Sequence, residues 1–139
     1  MTNIRIAAAL CFLAVALGAF GAHSLKQILE THGMLDVWNK AVLYHFLHAL
    51  ALVVLALHGG GNRVAYFLIA AGIVFFSGSL YALALTNVRW IGAITPIGGL
   101  CFLAGAAMLR FASSAMANSA ALPHRKKDDL PSRELMIEG

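Results

Sequence analysis

The side chains that can bind a proton, a metal or a hydrogen-bonding ligand are few in this chain, and most lie inside long apolar stretches. They are His23, Tyr44, His45, His48, Ser77, Ser79, Tyr81 and Thr95. Tyr44 and His48 are four residues apart and His45 precedes His48 by three, so one helix would carry them on one surface. That surface can pair with Ser77 and Tyr81 of a second helix, form a ligand pocket or bind a metal.

A metal or haem site is the sharpest of these hypotheses and has the weakest signal. Its candidates are His23, His45 and His48, because two histidines at i, i+3 with a third at a span end can coordinate an ion. The cluster has no cysteine or carboxylate nearby except Asp36 to complete the shell. We therefore expect structural pairing between helices, with a ligand pocket as the alternative, and we expect no metal and no cofactor.

Catalytic patterns are also missing from the sequence. Away from their ends the apolar stretches contain no Asp, Glu, Lys or Arg, whereas transporters coupled to protons or cations usually carry an ionisable residue in the membrane. There is no glycine-rich phosphate loop, no Ser/His/Asp set and no pair of carboxylates suited to acid–base chemistry. We predict that the protein is not an enzyme.

The composition places these residues in a membrane. Of 139 residues, 60% are hydrophobic and 12% are charged, and soluble domains have about 25% charged residues. We predict an all-α membrane protein, a four-helix transmembrane bundle. Its membrane domain, 1–112, has spans at about 4–22, 41–58, 64–86 and 90–111, and a disordered cytoplasmic tail occupies 113–139. The first stretch also imitates a cleaved signal peptide, which would leave three spans.

The connection between the first two spans is amphipathic. Leu25, Ile28 and Leu29 recur at helical spacing among polar residues, and Gly33 is a stop signal. We expect a short extracytoplasmic helix there, lying at the membrane interface. Trp38 is expected to anchor the connection in that interface.

Lysine and arginine residues predict the orientation, because cytoplasmic loops carry an excess of them. With four spans, one side holds Arg5, Arg63, Arg110, Arg125, Lys126, Lys127 and Arg133, and the other holds Lys26, Lys40 and Arg89. Both termini are therefore expected in the cytoplasm of a bacterium, with the spans in the inner membrane. In that orientation the polar residues gather at the outer ends of the spans and form an outward-facing polar cup.

Small residues indicate where the spans approach one another. Gly18, Gly21, Gly78, Gly98 and Gly99 suit close helix packing. Pro96 lies within the fourth span and is expected to bend it. The partners we expect are the lipid bilayer and either another membrane protein or a second copy of the chain, but not nucleic acid, because the basic residues lie at span ends and in the tail.

Four motifs, one in each span, resemble a known family. They are Gly18-Ala-Phe-Gly-Ala-His23, Tyr44-His-Phe-Leu-His-Ala-Leu-Ala-Leu52, Phe76-Ser-Gly-Ser-Leu-Tyr81 and Thr95-Pro-Ile-Gly-Gly99. The chain is similar to the small YgdD/YwdK-like membrane proteins, a group of unknown function. This resemblance implies a four-span bacterial inner-membrane protein with mitochondrial relatives, and it implies no established activity and no ligand.

Two functional hypotheses of different class follow. The first is a non-catalytic membrane protein that scaffolds, assembles or regulates a partner complex through the small-residue faces of its spans. The second is a binding or transport protein whose polar cup accepts a small molecule, lipid, quinone or metal. A stoichiometric membrane partner would favour the first hypothesis, and a small molecule retained through purification would favour the second.

Overall fold

A computed structural model describes residues 2–58 and 62–121, and every regular element in them is helical. The elements are α1 Thr2–Ala22, α2 Lys26–Thr31, α3 Leu35–Leu57, α4 Arg63–Gly72, a π-helical turn Ile73–Ser77, α5 Gly78–Thr86, a 3-10 helix Arg89–Ile94 and α6 Thr95–Ala121. The segment α4, the π-helical turn and α5 run on as one uninterrupted helix. We call this continuous helix the third span.

Four helical stretches are long and apolar enough to cross a membrane: Asn3–Ala22, Leu35–Leu57, Arg63–Thr86 and Arg89–Phe111. The predicted all-α bundle of four transmembrane helices is thereby confirmed. The second stretch begins at Leu35 rather than at 41, and α6 continues to Ala121, past the predicted start of the tail at 113. The remainder of that predicted tail, 122–139, lies outside the described residues.

Neighbouring spans run in opposite directions because the connections between them are short. At one end of the bundle, the Tyr66 hydroxyl near the start of α4 donates to the Asn3 carbonyl at the start of α1, at 2.7 Å. At the other end, His32 Nδ1–H, just after α2, donates to the Ala84 carbonyl near the end of α5, at 3.1 Å. The first residues of α1 and the last residues of α6 therefore lie at the same end.

The short helix α2 confirms the predicted amphipathic element between the first two spans. Leu29 is fully buried, while Lys26 and Glu30 beside it are exposed and form an ion pair at 3.8 Å. Gly33 has a φ of +64°, the left-handed conformation in which glycine commonly ends a helix. The predicted stop at Gly33 is therefore also confirmed.

Trp38 is a core residue and not the interfacial anchor that the sequence suggested. It is 1% exposed, and its indole N–H donates to the Leu17 carbonyl at 3.1 Å. Its ring centroid lies 4.7 Å from that of Tyr81. The reason is that α3 begins at Leu35, so Trp38 is already part of the helix and faces the other spans. With Leu29 and Ala84 it forms an apolar cluster at this end of the bundle.

A second apolar cluster fills the rest of the bundle interior. Its buried members come from α1, α3, the third span and α6, and are Ala7, Ala49, Leu52, Tyr66, Ile69, Ile73 and Phe102. In this cluster α1 packs mainly on α3, and α4 packs mainly on α6. The polar residues described next lie on α3, the π-helical turn, α5 and the start of α6, with His23 just after α1.

Candidate functional site

The polar residues selected from the sequence fall into separate groups in the structure. There is one interior group, His45, Ser77 and Tyr81, and one bridge between spans, Ser79 and Thr95. Tyr44 and His48 form a lateral pair, and His23 is isolated from the others. Except for Ser77 and Tyr44, each of these side chains makes a hydrogen bond to another group of the chain. These residues therefore make separate local contacts and do not form one continuous polar surface.

The interior group lies between α3 and the third span. His45 is 2% exposed, and its Nδ1 lies 3.3 Å from the Tyr81 hydroxyl. The pairing expected between the second and third spans is therefore made by His45. Ser77 is also buried, but its Oγ, like His45 Nε2, has no hydrogen-bond partner among the described residues. Burying such an atom without a partner costs about 1–3 kcal/mol.

Ser79 and Thr95 connect the third span to the fourth. The Ser79 hydroxyl donates to the Phe76 carbonyl at 2.9 Å. Since this hydroxyl has only one proton, the 2.8 Å contact between Ser79 Oγ and Thr95 Oγ1 requires Thr95 to donate. Thr95 is the first residue of α6, so the bond fixes the start of that helix against the third span.

Tyr44 and His48 lie on a lateral surface and not in the interior. The His48 Nδ1–H donates to the Tyr44 carbonyl at 2.8 Å, and the His48 ring stacks on Phe102 with centroids 3.5 Å apart. His48 is therefore not the partner of Ser77 or Tyr81. Three residues of α-helix rotate by about 300°, so the two side chains point about 60° apart around α3. His45 faces Tyr81 of the third span, and His48 faces Phe102 of α6.

His23 is separate from the other histidines. Its Nδ1 lies 3.2 Å from the carbonyl of Ala19, one turn earlier in α1, and the side chain is exposed. Across residues 2–58 and 62–121, no three His, Cys, Asp or Glu side chains come close enough to hold a metal. The metal candidates His23, His45 and His48 accordingly do not converge on one point.

Three of the predicted glycines do lie at close helix contacts. A methyl group added at Gly21 would overlap the indole of Trp38, and one added at Gly98 would overlap the backbone of Phe76. At Gly18 it would lie 3.2 Å from a Val42 methyl. Gly99 is in ordinary contact with Phe76, at 3.9 Å.

At Gly78 the expected packing within the chain is not made. A methyl group there would meet nothing within 4 Å, because the π-helical turn Ile73–Ser77 precedes it. One additional residue in a helical turn rotates everything after it by about 100°. Gly72, before the turn, is the residue that faces inward, and a methyl group there would overlap the ring of Phe102.

Gly105 of α6 also lies at a close helix contact, although it was not among the glycines predicted from the sequence. A methyl group added at Gly105 would lie 2.7 Å from Ile69 of α4. Gly98, Phe102 and Gly105 follow one another at spacings of four and three, which is the signature of one helix face. That spacing was the available signal for the interface between the third span and α6.

Pro96 lies at the start of α6 and not in the interior of an α-helix, where the predicted bend would arise. The α-helical part of that span starts at Thr95, after the 3-10 helix Arg89–Ile94. Pro96 therefore occupies the first turn, where its missing N–H leaves no hydrogen bond unmade. It marks the change from 3-10 to α geometry.

We expect the interior pair to be energetically coupled. Tyr81→Phe and His45→Leu should be non-additive by about 0.6 kcal/mol in the free energy of unfolding, the average for a hydrogen bond between membrane helices. Tyr81→Phe and His48→Leu serve as the control pair and should be additive. The measurement is a double-mutant cycle on the detergent-solubilised protein. Equal coupling in the two cycles would contradict the assignment of His45 as the partner of Tyr81.

Comparison with known proteins gives a family but no activity. The family described as "Protein of unknown function (DUF423)" matches residues 17–99. A UPF0382 membrane protein of Staphylococcus haemolyticus is 50% identical over 109 residues, 75% of this chain and 88% of that protein. The UPF0382 membrane protein YwdK of Bacillus subtilis is 50% identical over 97 residues, covering 66% and 78% respectively. No solved structure matches.

Proposed function

We propose that this chain, which belongs to the DUF423 family of membrane proteins, has a non-catalytic role. In that role it binds another membrane protein from the side and so scaffolds, assembles or regulates a complex. This multi-pass family has no assigned activity, so the role is inferred from the surface of the bundle. Both the arrangement of polar groups and one open surface support it.

The observation that carries the proposal is the open position at Gly78. Apart from its chain neighbours and the backbone of its own helix, nothing in the described chain lies within 4 Å of a methyl group placed there, and Val74 and Phe75 in the preceding turn are exposed. Glycines allow two membrane helices to approach closely, and such contacts drive association where lipid does not. We call the surface formed by Val74, Phe75 and Gly78 the Gly78 face, and we assign the partner helix to it.

The interior of the bundle supports a non-catalytic role. His45 is in contact with Tyr81, and Ser79 and Thr95 bond to each other, so these groups act on other parts of the same chain. An outward-facing cup that binds or transports a ligand, the alternative hypothesis, would need these paired groups to be free, whereas in the interior group only His45 Nε2 and Ser77 Oγ have no partner among the described residues. The His45–Tyr81 and Ser79–Thr95 pairs therefore favour the scaffold role over a ligand-binding cup.

The location we propose is a bacterial inner membrane with both termini in the cytoplasm. The relatives named above are membrane proteins of bacteria. Among the described residues, each end of the bundle carries Lys or Arg: Arg5, Arg63 and Arg110 at one end, and Lys26, Lys40 and Arg89 at the other. The basic residues of 122–139 therefore decide the asymmetry, and they favour the end at which α1 begins and α6 ends as the cytoplasmic one.

Site-specific photo-cross-linking tests the proposed partner. A photoreactive residue in place of Val74 should give one discrete protein adduct in native membranes, because Val74 lies on the Gly78 face. Its mass distinguishes a different protein from a second copy of the chain. The same residue in place of Phe12, which is exposed on α1, should give none.

A variant pair makes the cross-linking test specific. Gly78→Leu should abolish the adduct by filling the open position, and Gly78→Ala should retain it. Neither should lower the melting temperature of the isolated chain, since that position is open. An adduct that forms equally well from Phe12, or that survives Gly78→Leu, would contradict the proposal.

A further inference from the structure

A groove of about 540 Å³ opens on the side of the bundle between α3, the third span and α6. Sites that hold small molecules usually have volumes of about 300–1,000 Å³. Its walls are apolar and aromatic apart from one imidazole and one phenol, and consist of Tyr44, His48, Phe76, Pro96, Gly99, Leu100, Phe102 and Leu103. His48 lies just past the middle of α3, so the groove faces the lipid region.

The floor of the groove is a set of aromatic rings held in place by close contacts. The centroid of Phe76 lies 4.9 Å from that of Tyr44 and 5.6 Å from that of Phe102. Phe102 fits against Gly72, and the backbone of Phe76 fits against Gly98, leaving no space for a methyl group at either glycine. Phe76 belongs to the π-helical turn, a feature frequently found at functional sites. The floor is therefore formed before any ligand arrives.

The hydrogen bond made by His48 determines what its second nitrogen can do. A carbonyl oxygen only accepts, so the 2.8 Å contact with the Tyr44 carbonyl requires the proton to be on Nδ1. In the neutral ring Nε2 is then an acceptor, and it has no hydrogen-bond partner among the described residues. The Tyr44 hydroxyl likewise makes no hydrogen bond within the described chain. A polar atom without a partner is costly in hydrocarbon.

The shape and polarity of the groove specify a ligand. The His48 ring is stacked on Phe102 at 16° and is nearly parallel to Tyr44, at 13°, and such flat surfaces favour a planar ring. The Nε2 acceptor requires a donor, and the surrounding apolar walls require a lipid-soluble molecule. A ring that carries a hydroxyl group meets all three requirements.

We propose that this groove binds a lipid-soluble hydroquinone or phenol, with one ligand hydroxyl donating to His48 Nε2. This ligand site goes beyond the scaffold role and does not depend on it, because the groove and the Gly78 face are formed by different residues. A quinone has carbonyl acceptors and no hydroxyl donor, so it can accept from Tyr44 but cannot satisfy Nε2. The groove should therefore prefer the reduced form of such a ring to the oxidised form.

Titration of the full chain in lipid nanodiscs tests this site. The probes are decylhydroquinone, kept reduced under anaerobic conditions, the corresponding decylbenzoquinone, and decanol as a ringless hydroxyl compound. We expect saturable 1:1 binding of the hydroquinone, about tenfold tighter than that of the quinone, since one hydrogen bond of about 1.4 kcal/mol changes affinity by that factor. Decanol should partition into the lipid without saturating.

Two histidine variants provide the matched control. His48→Leu should lower hydroquinone affinity about tenfold and remove the preference for the reduced form. His58 Nδ1 makes the same one-turn contact, to the Val54 carbonyl at 2.9 Å, but lies outside the groove, so His58→Leu should bind as the wild type does. Melting temperatures establish that both variants are folded. Equal affinity for the two oxidation states in the wild type, or unchanged binding in folded His48→Leu, would overturn the proposal.

Discussion

Trp38→Ala should lower the free energy of unfolding by on the order of 3 kcal/mol, the low end of the range for removing a buried tryptophan. The low end applies because lipid, unlike water, does not drive apolar side chains into the interior, so the loss comes from packing and from hydrogen bonding. Trp38 is 1% exposed, donates to the Leu17 carbonyl and packs against Tyr81. Its removal leaves a cavity where α1, α3 and α5 meet.

The chain contains its own control for this experiment. Trp90, the other tryptophan, is 70% exposed at the start of the fourth span, so Trp90→Ala should change the free energy of unfolding by less than about 0.5 kcal/mol. Unfolding in detergent micelles, monitored by far-UV circular dichroism, compares the two variants. Similar losses from Trp38→Ala and Trp90→Ala would show that Trp38 is not the core residue described.

Gly98→Ala should have the next largest effect, with a loss of about 2–3 kcal/mol, the upper part of the overpacking range. The added methyl group would overlap the backbone of Phe76. A flexible side chain can turn away from such an overlap, but the backbone of a packed helix cannot. The third and fourth spans would have to separate, which also lengthens the 2.8 Å contact between Ser79 and Thr95.

Gly78→Ala is the matched control for Gly98→Ala. Both glycines lie inside helices, so both substitutions gain the helix propensity of alanine, about 1 kcal/mol. Only Gly98 has a neighbour in the way. Gly78→Ala should therefore be neutral or stabilising in the same unfolding measurement. A destabilised Gly78→Ala or an unaffected Gly98→Ala would contradict the packing of the third span.

The number of spans and the short helix α2 were predictable because they depend on properties local to the sequence. The third span has no charged residue from Val64 to Thr86, and in lipid only a helix satisfies its backbone groups. Gly33 ends α2 through its own backbone conformation. Neither feature depends on which other helix lies nearby.

The rotation of helix faces was not predictable from an ideal helical repeat. The π-helical turn Ile73–Ser77 changes the register of the third span, so Gly78 turned away from the bundle and Gly72 turned towards it. Pairing partners were missed for a related reason. His45 and His48 are both polar and close in sequence, and which of them meets Tyr81 depends on how α3 is rotated against the third span.

Native mass spectrometry of the protein, gently extracted from the membranes of cells that produce it naturally, tests the scaffold role most directly. We predict that the wild-type chain is observed in a fixed ratio with a membrane protein partner. The complex should be absent for Gly78→Leu, whose bundle remains folded. A chain observed alone, or a complex that persists in Gly78→Leu, would contradict the account.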